Sequence, residues 1–250
     1  MTETLLTRDE RAGAELRWSP VRVAGTVVLG AWAALFWFLL VSGRDAFYLS
    51  TRTEWVVPLA AVLLTIATLG RLASARVTPA EPLRSRELAI MMAMVVPVLL
   101  IMILPPATLG SFSAGKRSAA VGAGFSASAG DIATGDLTLV DVASAQTTPE
   151  GERALAKRAG ETVKFVGFVT RYGDTLADEF LLTRYVVSCC VADATVAQVR
   201  VVNVTPGAFE DNEWVEVTGT IYPIGREVIV NAGAGGIVAV ERPERPYLSF

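Results

Sequence analysis

Apolar positions change their period midway along the chain. Between Arg22 and Arg44 run 21 uncharged residues, VAGTVVLGAWAALFWFLLVSG. A helix rising about 1.5 Å per residue over that length crosses a hydrocarbon core of about 30 Å. A second run, WVVPLAAVLLTIATLG, holds 16 uncharged residues between Glu54 and Arg71. It is shorter than the usual ~20, but Arg71 can snorkel and the LASA stretch beyond it extends the apolar face. The third run, LAIMMAMVVPVLLIMILPPATLG from Leu88, is long enough to cross, with Pro97 as a kink and Pro105-Pro106 as a stop. The pattern predicts a transmembrane region over 21–115, with spans at 21–43, 55–73 and 88–109, behind an N-terminal segment 1–20.

After Arg117 the apolar signal fades into SAAVGAGFSASAGDIATGDLTLVDVASAQTTP. This Gly/Ala/Ser-rich stretch has few large apolar side chains, so a tether over 116–147 is expected. Alternation at Leu137-Thr138-Leu139-Val140-Asp141-Val142 predicts one short strand within it. Thr148-Pro149-Glu150 then predicts a helix start, with a Thr cap, Pro in the first turn and acids near the positive end of the dipole. That helix runs to about Arg158 and stops at Gly160.

From Glu161 the period is two. VKFVGFVT (163–170), FLLTRYVVSC (180–189), AQVRVVN (197–203), WVEVTGTIY (214–222) and EVIVN (227–231) read as strands, separated by turn residues such as Tyr172-Gly173-Asp174 and Thr205-Pro206-Gly207. Five short strands with a glycine interrupting the first at Gly167 suit a small all-β Greek-key barrel of the OB type, with one short helix, over 148–250. An open sandwich fits almost as well.

The first apolar run is too long for a signal-peptide core and carries bulky Trp32 and Trp37, so an uncleaved first helix in a multi-pass protein of the cytoplasmic membrane is expected. Basic residues set its orientation. Arg8, Arg11, Arg17 and Arg22, with Arg71, Arg76, Arg84 and Arg86, face Arg44, Arg52, Lys116 and Arg117 on the other side. Eight against four puts the N-terminus inside and the β domain outside.

Charge and residue chemistry narrow the function classes. From Thr148 to Phe250 there are 10 Lys/Arg and 14 Asp/Glu, a net of −4. A phosphate-tracking groove needs an excess of cations, so nucleic-acid binding is not expected of this barrel. The chain has no histidine. It also lacks a Gly-x-Ser-x-Gly elbow and a paired-carboxylate motif, so enzyme chemistry is not expected. Inside the predicted spans no Asp, Glu or Lys occurs, and helices this apolar offer no ion path of their own. Gly25 and Gly30, with Ala31 and Ala34, make small-residue faces on which a partner helix can pack.

Several stretches resemble a known family. GFVTRYGDTLADEFLLTRYVVSCCVADATVAQVRV, WVEVTGTI and the closing ERPERPYLSF, with LPPATLGS (104–111) followed by Lys116-Arg117, resemble the YcgQ-like family of bacterial membrane proteins assigned as permease subunits. SCCVADA in its strand context is the specific element. The resemblance implies an accessory subunit working beside a multi-span permease of the YraQ or ArsP-like type. One departure is that family members carry a His-Pro pair near the second span, where this chain has Leu49-Ser50-Thr51-Arg52.

SCCVADA also holds the only two cysteines, Cys189 and Cys190. Three roles compete for them. As fillers they pack like small hydrophobes, although strand alternation turns only one of two neighbours inward. As a disulfide, adjacent cysteines have Cα atoms about 3.8 Å apart, below the usual span, and form a strained, reducible ring. As metal ligands they are joined by Asp193, which leaves the set short of a structural zinc site; a soft ion such as zinc shared with a partner fits better. Arg184, mid-strand among apolar residues, is expected to pair with Asp193 or Asp174. The expected function is thus an accessory subunit of a permease, anchored in the bilayer, with an extracytoplasmic β domain that gates or delivers solute. The alternative is a stand-alone envelope thiol sensor or soft-metal-binding protein.

Overall fold

The computed structural model describes residues 17–77, 82–117, 129–225 and 227–249. Arg8 and Arg11, most of the N-terminal segment and residues 118–128 of the expected tether lie outside the described residues. The chain divides into two compact units, Met1–Asp45 with Glu54–Pro106, and Ala46–Thr53 with Ala107–Phe250.

The first unit is built on three long helices, α1 (Pro20–Ser42), α2 (Val56–Ala73) and α3 (Ser85–Ile103). Each is long and apolar enough to cross a membrane, and between 6% and 17% of each apolar window is covered by protein. Leu63, Ile66, Leu69, Met92, Val96 and Ile103 point outward. An apolar helix left uncovered by its own chain has lipid as its natural solvent, and the protein is membrane-anchored. The hydroxyls in these helices are satisfied locally, as that medium requires: Thr26 donates to Arg22 O, Thr65 to Ala61 O and Thr68 to Leu64 O.

The small-residue face of α1 is used within the chain. A Cβ at Gly25 would lie 3.1 Å from the Arg71 guanidinium of α2, and one at Gly30 would lie 3.6 Å from the Thr68 methyl. Trp37 Nε1 donates to Thr65 Oγ1 at 3.1 Å across the same helix pair. Strands β1 (Arg17–Trp18) and β2 (Arg76–Val77) pair antiparallel beside it. The third span differs from expectation at both ends. It begins at Ser85, where the Glu87 carboxylate accepts from Arg84 N–H, and ends at Ile103 before Pro105-Pro106.

The second unit is a β-barrel with helices. Its strands are β3 (Thr162–Thr170), β4 (Glu179–Val187), β5 (Thr195–Val202), β6 (Trp214–Ile224), β7 (Glu227–Asn231), β8 (Ile237–Ala239) and β9 (Leu248–Ser249). The hydrogen-bonded path β3-β4-β5-β7-β6 returns to β3, so five strands close into a barrel and the open-sandwich alternative falls. All pairs on that path are antiparallel except β5–β7. Inward positions recur every second residue, as Val215, Val217 and Ile221 on β6 and Val228 and Val230 on β7 show. At Gly167 a Cβ would meet Thr183 O at 2.7 Å. Glycine there lets β3 coil, pairing with β6 over 162–168 and with β4 over 168–170.

Two expectations fail upstream of the barrel. The predicted strand over 137–142 is a helix, because Thr138 and Asp141 form a reciprocal cap at its start. A four-residue helix, α4 (Ser111–Ala114), precedes the expected tether, and the described part of the tether carries two short helices, α5 (Ala129–Thr134) and α6 (Leu139–Ala145). Ile132, Leu139, Val142, Ala143 and Ala145 are buried in the barrel's main core together with Leu155 of α7 (Pro149–Ala156). Small residues permit this, since they let short helices approach closely enough to share a core with few large side chains. Helix α7 itself follows the sequence, with Thr148 Oγ1 accepting from Gly151 N–H at 3.1 Å.

A second apolar cluster lies on the outer face of the barrel, where Phe168, Tyr185 and Val187 meet Ala114, Ala194 and Tyr247. Tyr247 accepts from Leu109 N–H at 3.1 Å and Tyr185 donates to Gly110 O at 2.8 Å. Residues 109–117 are therefore part of the β unit rather than the start of a free linker.

Candidate functional site

Strand β4 ends at Val187, two residues earlier than its alternation predicts, and the cause is Asp193. Its carboxylate accepts from Ser188 N–H at 3.0 Å through Oδ1 and from Cys189 N–H at 2.8 Å through Oδ2. Those two donors are thereby withdrawn from the β ladder. Residues Val191–Asp193 complete the turn as one 3₁₀ segment, and β5 begins at Thr195. Arg117 holds the turn from outside, donating to Ala194 O at 2.7 Å and more loosely to Val191 O and Ala192 O.

A strap from elsewhere in the sequence completes the site. Tyr48–Thr53 lies along the motif: Leu49 and Cys190 form an antiparallel bridge, Val191 N–H donates to Tyr48 O at 2.8 Å, and Ser50 N–H donates to Cys189 O at 3.1 Å. Thr53 Oγ1 also donates to Cys189 O, and Thr51 N–H donates to Ser249 Oγ of β9. The backbone of the cysteine pair is held on one side by Asp193 and on the other by the strap.

Neither thiol fills the core. Cys189 is exposed, Cys190 is partly exposed, and both are free. Their sulfurs lie 3.7 Å apart. The two sulfurs and an Asp193 carboxylate oxygen lie within 4.8 Å of one another, close enough to hold one metal ion. A hydrogen bond to Asp193 and then the contact with Cys190 push the Cys189 thiol up to about 11. Partial burial works to raise the Asp193 carboxyl, but hydrogen bonds from the Cys189 thiol and from the Cys189 and Ser188 backbone outweigh it and hold it below the usual range. Two soft donors and one carboxylate, convergent and accessible, are a donor set that could hold a thiophilic ion.

Arg184 corrects its expectation. No carboxylate pairs with it among the described residues; its guanidinium donates to Arg245 O at 2.8 Å, Pro246 O at 3.3 Å and Val166 O at 3.5 Å, and lies over the Trp214 ring. Asp193 is occupied by the turn instead. Desolvation lowers the Arg184 pKa from its ordinary value. The reason for this placement is the gap where β3 leaves β4: Val166 precedes the β3–β4 ladder, which runs over 168–170, and the arginine bridges carbonyls across that gap.

The strap and Arg117 escaped sequence reasoning. Lys116-Arg117 and the closing PYLSF stand out as motifs, but nothing local shows that they meet SCCVADA. An open depression of 410 Å³ elsewhere on the β unit is lined by residues that include Phe112, Lys116, Arg171, Tyr172 and Asp211. Its cations are engaged, Arg171 with Asp211 at 3.2 Å and Lys116 over the Phe112 ring.

Residues 135–248 match the model of the family described as DUF1980 C-terminal domain. The match takes in the strands of the barrel and covers 114 of the 250 residues of the chain. No curated protein matches the chain.

Proposed function

We propose that the protein is an accessory subunit of a multi-span permease of the YraQ or ArsP-like type, with an extracytoplasmic β unit that gates or delivers solute at the Cys189–Cys190 edge. The observation that carries this reading is the strap. Residues 46–53 lie between α1 and α2 in sequence, yet they belong to the β unit and bond the motif directly. With three crossings, this loop and everything after α3 would share one side of the membrane, in keeping with those bonds. A change at the motif is therefore joined by short chain to the ends of two membrane helices. The helices contribute no carboxylate or lysine in their apolar stretches, so the conduction path belongs to a partner.

Co-purification in mild detergent tests the reading. The chain and a permease encoded beside it should leave the membrane together; a chain that emerges alone while the permease is present overturns it. The alternative, a stand-alone thiol sensor or soft-metal-binding protein, draws on the Cys189, Cys190 and Asp193 cluster. Metal retained stoichiometrically through purification, or thiols that cycle between oxidation states with no partner present, would favour it.

A further inference from the structure

We propose that Cys189, Cys190 and Asp193 form an open tetrahedral site for a borderline divalent d10 cation of the zinc type, with the fourth position left to an exchanging ligand. This names the solute class for the edge described above, and it rests on that reading for the destination of the ion but not for its binding.

The argument starts from the sulfurs. A metal–thiolate bond of about 2.3 Å in tetrahedral geometry requires the two sulfurs to stand about 3.8 Å apart, whereas a linear two-coordinate ion requires about 4.6 Å. The observed separation is 3.7 Å. The pair is already spaced as one edge of a tetrahedron. The third donor agrees with this. A carboxylate beside two thiolates suits a borderline ion better than a strictly soft monovalent one, and thiolates exclude magnesium and calcium, which prefer all-oxygen shells.

The surroundings preorganise the chelate. Each Asp193 oxygen accepts one backbone N–H and keeps a further acceptor position with which to ligate. Such outer hydrogen bonds orient a ligating carboxylate. Cys189 O is fixed by Ser50 N–H and Thr53 Oγ1, so the backbone carrying both thiols need not be ordered on binding. On binding, each thiol gives its proton to solvent and enters the site as a thiolate. Structural zinc sites are closed with four protein ligands, while sites that bind and exchange keep a position open. Three ligands at an exposed edge belong to the second kind.

The test uses the reduced full-length chain in mild detergent with cobalt as a spectroscopic probe. A sulfur-to-cobalt charge-transfer band and visible bands of tetrahedral cobalt are expected at one ion per chain, with zinc displacing the cobalt and magnesium not. Cys189→Ser or Cys190→Ser should about halve the charge-transfer band, because one of two thiolates is lost. Asp193→Asn should keep the charge-transfer band while weakening binding tenfold or more. Absence of the band at equimolar cobalt in the unaltered chain, or its persistence when both cysteines are serine, overturns the proposal. Should the cysteine variants fail to fold, maleimide labelling of the unaltered chain decides: zinc must slow the labelling of both thiols, and equal rates with and without zinc overturn the site. The permease reading fails separately, since a chain that binds no ion can still co-purify with its partner.

Discussion

Leu49 and Cys190, 141 positions apart in sequence, face each other in an antiparallel bridge. This pairing makes the first loop of the membrane region a structural part of the thiol motif. It also means that the geometry of the cysteines depends on residues outside the matched domain.

The strap is expected to be held in solution by its backbone bonds. Ser50→Pro removes the amide that donates to Cys189 O, a loss of about 1 kcal/mol. Hydrogen exchange at the Val191 amide, which donates to Tyr48 O, should speed up about fivefold to tenfold. Mass spectrometry of the peptide spanning 188–194 measures it. Unchanged protection would show that the strap does not hold the motif.

Arg184 is expected to stabilise the barrel through carbonyls rather than through an ion pair. Arg184→Leu leaves Val166 O, Arg245 O and Pro246 O without this donor, and the β unit should lose about 2–4 kcal/mol. Arg184→Lys keeps the charge but not the planar fork and should recover only part of the loss. Thermal unfolding followed by tryptophan fluorescence, to which Trp214 beneath the guanidinium contributes, reads both. A Lys variant as stable as the original would count against the bridging role.

Alkaline pH is expected to loosen the contact between Tyr185 and residues 109–117. Burial pushes the Tyr185 phenol up to about 12 from its ordinary 10.0, so the folded chain favours the neutral form that donates to Gly110 O. Below the unfolded value both states are protonated and the contribution is complete. As pH rises from 10 towards 12 the unfolded state ionises first and stability falls. The melting temperature should decline across that window, and Tyr185→Phe should flatten the decline. Tyr247 is raised by burial in the same direction, so the slope should diminish without vanishing.

Much of the barrel is legible locally because a strand with one buried face writes a period of two into its sequence. The five main strands fall within about two residues of their expected bounds, and Thr148 caps its helix as its residue type requires. The segment 137–142 was ambiguous for a physical reason. Leu139, Val142 and Ala143 also satisfy the i, i+3, i+4 spacing of a helix, and the Thr138–Asp141 cap decides between the two.

The sequence by itself determined the elements: three helices long and apolar enough to cross a membrane, and a run of strands with a pair of thiols just after the second. Those features rest on local length, period and turn chemistry, which neighbouring residues dictate. Tertiary structure decided what the thiols face. Asp193 turning back to cap Ser188 and Cys189, the strap pairing with Cys190 and Arg117 capping the turn all join residues distant in sequence or bend the chain against its local period. Such contacts are fixed by closure of the barrel around its core, and no local pattern encodes them.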